Sequence, residues 1–335
     1  MVGIMMENKK VSMVDIAKMA DVSIATVSRV LNKNGRYSPE TEKKVLGIIE
    51  KYNYKLNLSA KSLRTNISQS IGVLVPDVTN EFFAKIIRSI ENYIMPYNYS
   101  LFVCDSNEDE ELENLHVENL IAKNVDGIIC ISGQLNPHSL DEKYGIPVVY
   151  IDRRPKEAKF LVQSDHVQGG FLATEELIRK GCKRIIMLRD KRWLSPIRQR
   201  YDGYMKALQK YDLPVQMDLQ FDVAIDYNKV KEKMREIIDA GTQFDGVFAC
   251  NDLVALGALH TLTESGVQVP EQVKLVGFDG ITLGEFCNPP ISTIIQNTDE
   301  IGKRCVSILM KCIHHEDMKS TNTVVPVALS VRGTT

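Results

Sequence analysis

The sequence predicts an α/β protein: a small all-α N-terminal headpiece with a helix-turn-helix, followed by a core of two lobes, each a doubly wound parallel sheet. Three observations support this prediction. The chain has 335 residues, which is more than one hydrophobic core normally supports. Near residue 70 the apolar pattern changes from helical spacing to strand-length runs that alternate with helical stretches. The parts before and after residue 66 also carry net charges of opposite sign.

The charge difference separates a basic head from an acidic body. Residues 1–66 contain 12 Lys and Arg against 6 Asp and Glu, whereas the rest of the chain contains 29 against 37. A basic head is typical of a segment that binds a polyanion, although a solvated lysine-rich surface would have the same composition. The motifs of the head have to decide between these alternatives.

The head begins with two short helices separated by about three residues. Ser12 and Asp15 form a capping-box pattern before the first helix, and Ser23 opens the second. The predicted inner face of the first helix comprises Ile16, Met19 and Ala20. The predicted inner face of the second comprises Val27, Val30 and Leu31. Two helices in this arrangement predict a helix-turn-helix.

A third helix is predicted to complete the head. Ser38 is its cap and Pro39 occupies its first helical position, where the missing amide hydrogen costs nothing. Its predicted buried face comprises Val45, Ile48, Ile49 and Tyr52.

The outer face of the second helix has the composition of a DNA-reading surface. Arg29 is suited to paired hydrogen bonds with guanine, and Ala25 or Ile24 to a thymine methyl group. The small polar side chains are suited to phosphate oxygens; they are Ser23, Thr26 and Ser28, with Asn32 on the same side. An ordinary surface arginine is the alternative interpretation of Arg29.

Beyond residue 70 the chain alternates strand-length apolar runs with helical stretches, as parallel sheets require. The runs are Ile71–Val75, Leu101–Cys104, Gly127–Ile131, Val148–Ile151, Ile185–Leu188, Val247–Cys250 and Lys274–Phe278. Ligands of such folds bind beyond the carboxyl ends of the strands. The acidic run Asp105–Glu113 is interpreted as the solvated start of a helix.

Several classes of protein are disfavoured. No apolar run approaches the roughly 18–20 residues of a membrane span, and the N-terminus lacks a signal-peptide core, so we expect a cytoplasmic protein without membrane contact. Seven cysteines without a C-x-x-C pair predict buried free thiols. No phosphate-binding loop, G-x-S-x-G or H-E-x-x-H motif indicates an enzyme, and His314-His315 lack further ligands nearby, so we expect neither cofactor nor metal.

The stretch Val14-Asp15-Ile16-Ala17, continued by residues 20–32, resembles the headpiece of the lactose-repressor/galactose-repressor (LacI/GalR) family. The resemblance implies a headpiece over residues 1–56, a hinge helix over 57–66 and an effector-binding and dimerisation core over 67–335. It places lobe 1 at about 67–160 and 291–322, and lobe 2 at about 161–290 and 323–335, in a core similar to type I periplasmic binding proteins.

The resemblance extends through the hinge. Tyr54, Asn57 and Lys61 match positions that contact the DNA backbone in the family, Ala60 permits close approach to the minor groove, and Leu63 matches a leucine that wedges between bases. Leu56 departs from the proline usual there. The hinge is about two turns long, shorter than the roughly 12–15 residues of a helix stable in water, so we expect it to fold only with DNA and a partner chain.

The resemblance also implies a sugar pocket between the lobes. Its predicted residues, similar to those that hold ribose in ribose-binding protein, are Phe82, Phe83, Asp152, Arg153, Arg200, Asn251, Asp279 and Gln296. A further family aromatic falls somewhere near Ile225 or Tyr227. Two aspartates offset two arginines, which favours a neutral sugar over a sugar phosphate.

The resemblance therefore implies a homodimeric repressor of a sugar-utilisation operon, most like the ribose operon repressors, released from a pseudo-palindromic operator by a neutral sugar, with D-ribose as first candidate. Alternatives are another pentose or hexose, sucrose or fructose, and a ligand that tightens DNA binding, as in purine-type members. Another is a catabolite-control regulator with a phosphocarrier protein as corepressor, although Ser307 in the helix Asp299–Lys311 stands where an arginine would help.

Overall fold

The computed structural model describes residues 11–31, 33–54, 67–131, 140–153, 155 and 158–335. The chain divides into two compact units, Met1–Asn66 and Ile67–Thr335. The predicted hinge, residues 57–66, lies outside the described residues. Each unit is described by itself below.

The N-terminal unit is built from three helices: α1 (Met13–Ala20), α2 (Ile24–Leu31) and α3 (Pro39–Lys51). Ser12 and Asp15 close the predicted capping box, with the Ser12 amide donating to Asp15 Oδ2 at 2.9 Å. The fully buried core of this unit comprises Ile16, Ala17, Ala20, Val27, Val30 and Val45. Because these residues come from all three helices, each helix is held by the other two.

Two predicted core residues of this unit are exposed. Met19 is 39% exposed because its neighbours Ala17 and Ala20, rather than Met19, form the inner face of α1. Tyr52 is 44% exposed because α3 ends at Lys51 and the chain turns at this residue. Ile48, Ile49 and Leu31 are half-buried against the core, so the predicted faces are otherwise correct.

The first lobe of the second unit is a six-stranded parallel sheet. Its strands, in chain order, are β1 (Ser70–Val75), β2 (Ser100–Asp105), β3 (Gly127–Cys130), β4 (Val148–Ile151), β5 (Phe160–Ser164) and β11 (Thr321–Val325). The spatial order is β11-β5-β4-β3-β1-β2. Its helices are α4 (Glu81–Ile94), α5 (Glu110–Ala122), α6 (Leu140–Tyr144) and α11 (Thr298–Ile313). The apolar sides of α4 and α11 cover one face of the sheet, and those of α5 and α6 cover the other.

The second lobe repeats the plan. Its strands are β6 (Ile185–Asp190), β7 (Gln220–Val223), β8 (Gly246–Ala249), β9 (Lys274–Asp279), β10 (Ser292–Gln296) and β12 (Val327–Ser330), in the order β12-β10-β9-β8-β6-β7. Only β12 runs antiparallel to its neighbour among these described pairs. Its helices are α7 (His166–Arg179), α8 (Ser195–Lys210), α9 (Tyr227–Asp239) and α10 (Asp252–Glu264). One continuous core fills this lobe.

The three crossings between the lobes correct the predicted lobe boundaries. Strand β5 pairs with β4 and β11 in the first sheet, so the chain crosses after Ser164 rather than at 160. Strand β10 pairs with β9 and β12, so the second crossing follows Gln296 rather than 290. The third falls between Val325 and Val327 rather than at 322. The predicted boundaries were approximate, and the first two fall a few residues early because β5 and β10 were not identified as strands.

All seven cysteines are free thiols, but the prediction that they are buried holds for four of them, Cys130, Cys182, Cys250 and Cys305, and the other three are half-buried. Among the described residues, no helix has the length and apolar composition needed to cross a bilayer.

Candidate effector pocket and DNA-reading helix

The outward face of α2 carries the predicted base-reading residues. Ile24, Ala25 and Arg29 are exposed, while Val27 and Val30 of the same helix are buried. Ser23 caps the helix: its Oγ accepts the Thr26 amide at 3.1 Å and lies 2.9 Å from the Thr26 hydroxyl. Thr26 and Ser28 are half-buried and Ser23 is exposed. The helix therefore presents a small apolar and hydroxyl-rich surface around one arginine.

The stem of Arg29 lies against the turn that follows α2. Gly35 adopts a φ of +82°, and a Cβ added there would stand 3.2 Å from Arg29 Cδ. The Arg29 carbonyl also accepts the amide of Asn34 at 3.1 Å, which closes the turn. Because the turn packs on the aliphatic part of the side chain, it limits the directions that the guanidinium can take.

The remaining predicted DNA contacts divide into two groups. Tyr54 is half-buried against the core of the N-terminal unit, and its amide donates to Ile49 at 2.9 Å. The others lie outside the described residues; they are Asn32, Asn57, Ala60, Lys61 and Leu63.

In the second unit a cavity of about 290 Å³ lies between the two lobes. Seven of the eight predicted ligand residues line it: Phe82, Phe83, Asp152, Arg153, Arg200, Asn251 and Asp279. The eighth, Gln296, lies behind Asp279 and donates from Nε2 to Asp279 Oδ1 at 2.7 Å. The volume is close to the lower end of small-molecule sites, which suits a ligand of monosaccharide size.

One wall of the cavity is aromatic. Asn80 caps α4 by accepting the Phe82 amide at 3.0 Å, which places Phe82 and Phe83 in its first turn. The two rings meet edge to face with centroids 5.3 Å apart. The unaligned family aromatic has no counterpart in the lining: Ile225 lines the cavity, whereas the Tyr227 hydroxyl bonds to His260. At this point the lining is therefore aliphatic.

Arg200, which also lines the cavity, forms the centre of a buried polar group. Its guanidinium lies over the Phe278 ring, 3.6 Å from the centroid, and donates to the Cys250 carbonyl. Its Nη2 lies 3.4 Å from Asp279 Oδ1. Burial raises the pKa of Asp279 to about 7, although Arg200 and the Gln296 hydrogen bond oppose this rise. A carboxylate, an amide and a guanidinium therefore converge in one desolvated corner.

His166 links this corner to the other lobe, and the sequence analysis missed it. Its Nε2 lies 2.8 Å from Asp152 Oδ1, and its Nδ1 lies 3.3 Å from Arg200 Nε, a donor. Burial lowers the pKa of His166, and a neutral ring that donates from Nε2 and accepts at Nδ1 fits both contacts. Burial opposes ionisation of Asp152, but the contacts with His166, the Ser164 amide and Arg200 lower its pKa.

Two glycines bring His166 and Arg200 together. A Cβ at Gly170 of α7 would stand 2.0 Å from the Arg200 carbonyl oxygen, and one at Gly203 of α8 would stand 2.1 Å from the Val167 carbonyl oxygen. Only glycine permits this approach of the two helix backbones. The close crossing sets the distance across which Arg200 reaches the His166 ring.

Asn251 and its neighbour Asp252 differ in function. Asn251 lines the cavity and caps α10, with Oδ1 accepting the Val254 amide at 2.9 Å. Asp252 is turned away and accepts the amides of Gly280 and Ile281 and the hydroxyl of Thr293. Asp252 therefore fixes the turn after β9, the strand that ends in Asp279.

The lining of the cavity is more charged than predicted. Glu108, Asp190 and Arg192 line it, together with Asp77 and Lys191. The prediction that the acidic run is solvated is wrong for two of its residues: Glu108 faces the cavity and Glu113 is buried. Helix α5 does begin in that run, at Glu110. Glu108 follows β2 and Asp190 ends β6, so the strand-end rule identifies both once the strands are placed correctly.

No group of three or more potential metal ligands occurs within the part of the chain that the structure describes. His314 and His315 are exposed at the end of α11, as expected of solvated histidines.

Comparison with known proteins gives matches to both units. Residues 12–57 match the family of bacterial regulatory proteins of the lacI type, and residues 174–335 match a periplasmic binding protein-like domain. A ribose operon repressor from Halalkalibacterium halodurans is 35% identical over 324 residues, covering 96% of each chain. A repressor named PurR from Haemophilus influenzae is 35% identical over 306 residues, covering 90% of this chain and 91% of that one.

Solved structures give the same result. A lac repressor dimer bound to operator and the anti-inducer ONPF superposes with a TM-score of 0.85 at 26% identity, covering 97% of this chain and 99% of that one. A LacI-family regulator from Enterococcus faecium with bound ribose has a TM-score of 0.72 at 27% identity, covering 79% of this chain and 98% of that one. These relatives are transcriptional regulators rather than enzymes. The chain belongs to the LacI family of DNA-binding bacterial transcriptional repressors.

Proposed function

We propose that this protein represses a sugar-utilisation operon and is released from its operator by a small neutral sugar, with D-ribose as the first candidate. The observation that carries the proposal is the buried corner in which Arg200, Asp279 and Gln296 converge, beside a cavity that two phenylalanines also line. Carboxylate, amide and guanidinium groups each bond pairs of adjacent hydroxyls, and flat rings cover the apolar face of a sugar.

The charged side chains that line the cavity indicate the net charge of its ligand. Five acidic and four basic side chains line the cavity, and the raised pKa of Asp279 leaves that carboxyl only partly ionised near neutral pH. A nearly balanced pocket favours an uncharged ligand because an unpaired buried charge is costly. The eight predicted residues, with Gln296 acting through Asp279, are the proposed sugar contacts.

The choice of ribose rests on two similarities. A relative covering 96% of the chain is a ribose operon repressor, and one structural neighbour has bound ribose. Other neighbours carry cellobiose or D-xylulofuranose, so a panel of sugars has to accompany ribose in any test.

The proposed DNA contacts lie on α2 and the hinge. Arg29 would read a guanine, Ile24 and Ala25 a thymine methyl group, and Ser23, Thr26, Ser28 and Asn32 the backbone. Tyr54, Asn57, Ala60, Lys61 and Leu63 would contact the backbone and the minor groove. One headpiece contacts few base pairs, so we propose a homodimer on a pseudo-palindromic operator.

The test is a titration of operator DNA with the full chain, with and without saturating ribose, at fixed salt. We expect ribose to weaken operator binding about 5–150-fold, the range that an allosteric coupling of about 1–3 kcal/mol produces. Tighter binding with ribose would make it a corepressor, and an unchanged affinity would exclude it as the effector. Calorimetry with ribose, fructose, sucrose and cellobiose then identifies the ligand directly.

A further inference from the structure

Glu108 shares its carboxylate between two guanidinium groups that line the cavity. Arg153 Nη1 lies 3.0 Å from Glu108 Oε2, and Arg153 Nη2 lies 3.2 Å from Oε1. Arg192 Nη1 lies 2.7 Å from the same Oε1. Glu108 and Arg153 belong to the first lobe and Arg192 to the second, so the carboxylate bridges the two lobes.

The neighbouring backbone and side chains hold this group in place. Asn107 and Glu108 both adopt left-handed φ angles, of 48° and 56°, in the loop after β2. The Asn107 amide donates to Asp105 Oδ1 at 2.9 Å, which closes that loop. On the other lobe the buried Asp190 accepts Arg192 Nε at 2.9 Å. Both the carboxylate and the guanidinium that it meets are therefore oriented before any ligand arrives.

Two guanidinium groups that converge on one anion have the geometry of a phosphate site. Arginine binds carboxylate and phosphate with the same pair of parallel hydrogen bonds. The Arg153 side chain is only 13% exposed, and that of Glu108 25%, so little water screens this contact. A phosphate on a ligand in the cavity would need the donors that Glu108 already occupies, and would be repelled by its charge.

We propose that Glu108 is a specificity-determining residue: it fills the paired arginine forks and so restricts the pocket to sugars without a phosphate. The proposal rests on the proposed function in taking the ligand to be a sugar. The acidic run Asp105–Glu113 would then contribute to ligand specificity through Glu108 as well as containing the start of α5.

The test replaces Glu108 with glutamine in the full chain. Glu108→Gln keeps the size of the side chain but removes one negative charge beside two cations, so we expect the affinity for inorganic phosphate and ribose 5-phosphate to rise by roughly tenfold or more. Glu111→Gln makes the same charge change on an exposed residue of α5, three positions after Glu108, and should leave both affinities unchanged. Calorimetry and ligand-induced shifts in Tm measure all three proteins.

The outcomes separate this proposal from the proposed function. If Glu108→Gln gains neither phosphate nor ribose 5-phosphate binding, or the wild type binds ribose 5-phosphate more tightly than ribose, the specificity role is wrong. An equal gain in Glu111→Gln would also overturn it, because net charge alone would then be responsible. If Glu108→Gln gains phosphate binding while the wild type ignores ribose, the specificity role stands and the ribose assignment fails.

Discussion

The outward face of α2 takes all its residues from one eight-residue helix, whereas the cavity of the second unit is lined by residues from Asp77 to Asp279. The helix positions its side chains by its own periodicity, so a change at one residue leaves the others in place. In the cavity, Arg200 contacts groups that three separate segments supply, namely His166, Cys250 and Asp279. We therefore expect substitutions on α2 to act singly and substitutions in the cavity to act on several groups together.

The largest effect should come from Arg200, which lies at the centre of the hydrogen-bonded group in the cavity. Arg200→Ala removes contacts to His166, Asp279 and the Cys250 carbonyl and leaves a buried carboxylate without its cation. We expect ribose affinity to fall by several kcal/mol, about 100-fold or more, with operator affinity in the absence of sugar little changed. Calorimetry and operator titration measure the two quantities. Arg198→Ala, an exposed arginine on the same helix, is the matched control, and a similar loss there would show that α8 stability is responsible.

The second effect concerns the outward face of α2, where we expect each side chain to act singly. Arg29→Ala should cost about 1–3 kcal/mol at one base pair in each half-site and relax specificity there, with every other position discriminated as before. Binding to a set of single-base operator variants checks this. The control is Lys44→Ala, on the exposed side of α3. It removes one positive charge, as Arg29→Ala does, but should leave the base preferences intact. Undiminished discrimination at every position in Arg29→Ala would remove the base-reading role, and losses spread over several positions would break the contrast with the cavity.

This contrast explains how far the sequence alone could reach. Helical periodicity and caps were sufficient for α1, α2 and α3, because Ser12, Ser23 and Ser38 act on neighbours three residues away. Apolar runs were sufficient for the buried parallel strands β1, β3, β4, β6, β8 and β9. The strands that were missed include β7, which is an edge strand, and β5, whose run contains the polar Gln163.

The cavity shows what remained out of reach. Family resemblance supplied eight strand-end and nearby residues, of which seven line the cavity, but their partners depend on which segments meet. Glu108 and Arg192 are 84 residues apart and contact only across the two lobes. His166 follows β5, so failing to identify that strand also hid the residue that links Asp152 to Arg200.

The third effect is a pH dependence of sugar binding. Burial raises the pKa of Asp279 to about 7, so the ionised form grows as pH rises through 7. An ionised carboxylate accepts hydrogen bonds from sugar hydroxyls with both oxygens, whereas the protonated form loses part of that capacity. If ribose binds the ionised form, its affinity should rise roughly tenfold from pH 6 to pH 8.

The matched control is Asp279→Asn, which should bind more weakly and lose the pH dependence. Calorimetry over this pH range measures both proteins. An affinity that falls with rising pH would mean that the protonated carboxyl is the form that binds, and a retained slope in Asp279→Asn would assign the titration to another group.

The smallest effect concerns His166, which the sugar need not touch. His166→Gln keeps a donor for Asp152 but does not offer Arg200 the acceptor that Nδ1 provides in this geometry. The loss of one net hydrogen bond corresponds to about 1 kcal/mol, so we expect ribose affinity to fall roughly fivefold. Because Arg200 would turn while Asp279 remains, the pH dependence of binding should shift together with the affinity.

If His166 had only a structural role, His166→Gln would lower Tm without changing the pH dependence of ribose binding. Tm and the pH dependence are therefore both measured. In the double variant His166→Gln with Arg200→Ala, the two losses should be less than additive, since the histidine acts through the arginine. Additive losses would mean that His166 and Arg200 hold the sugar independently. The cavity would then resemble α2, a set of separate contacts rather than a network.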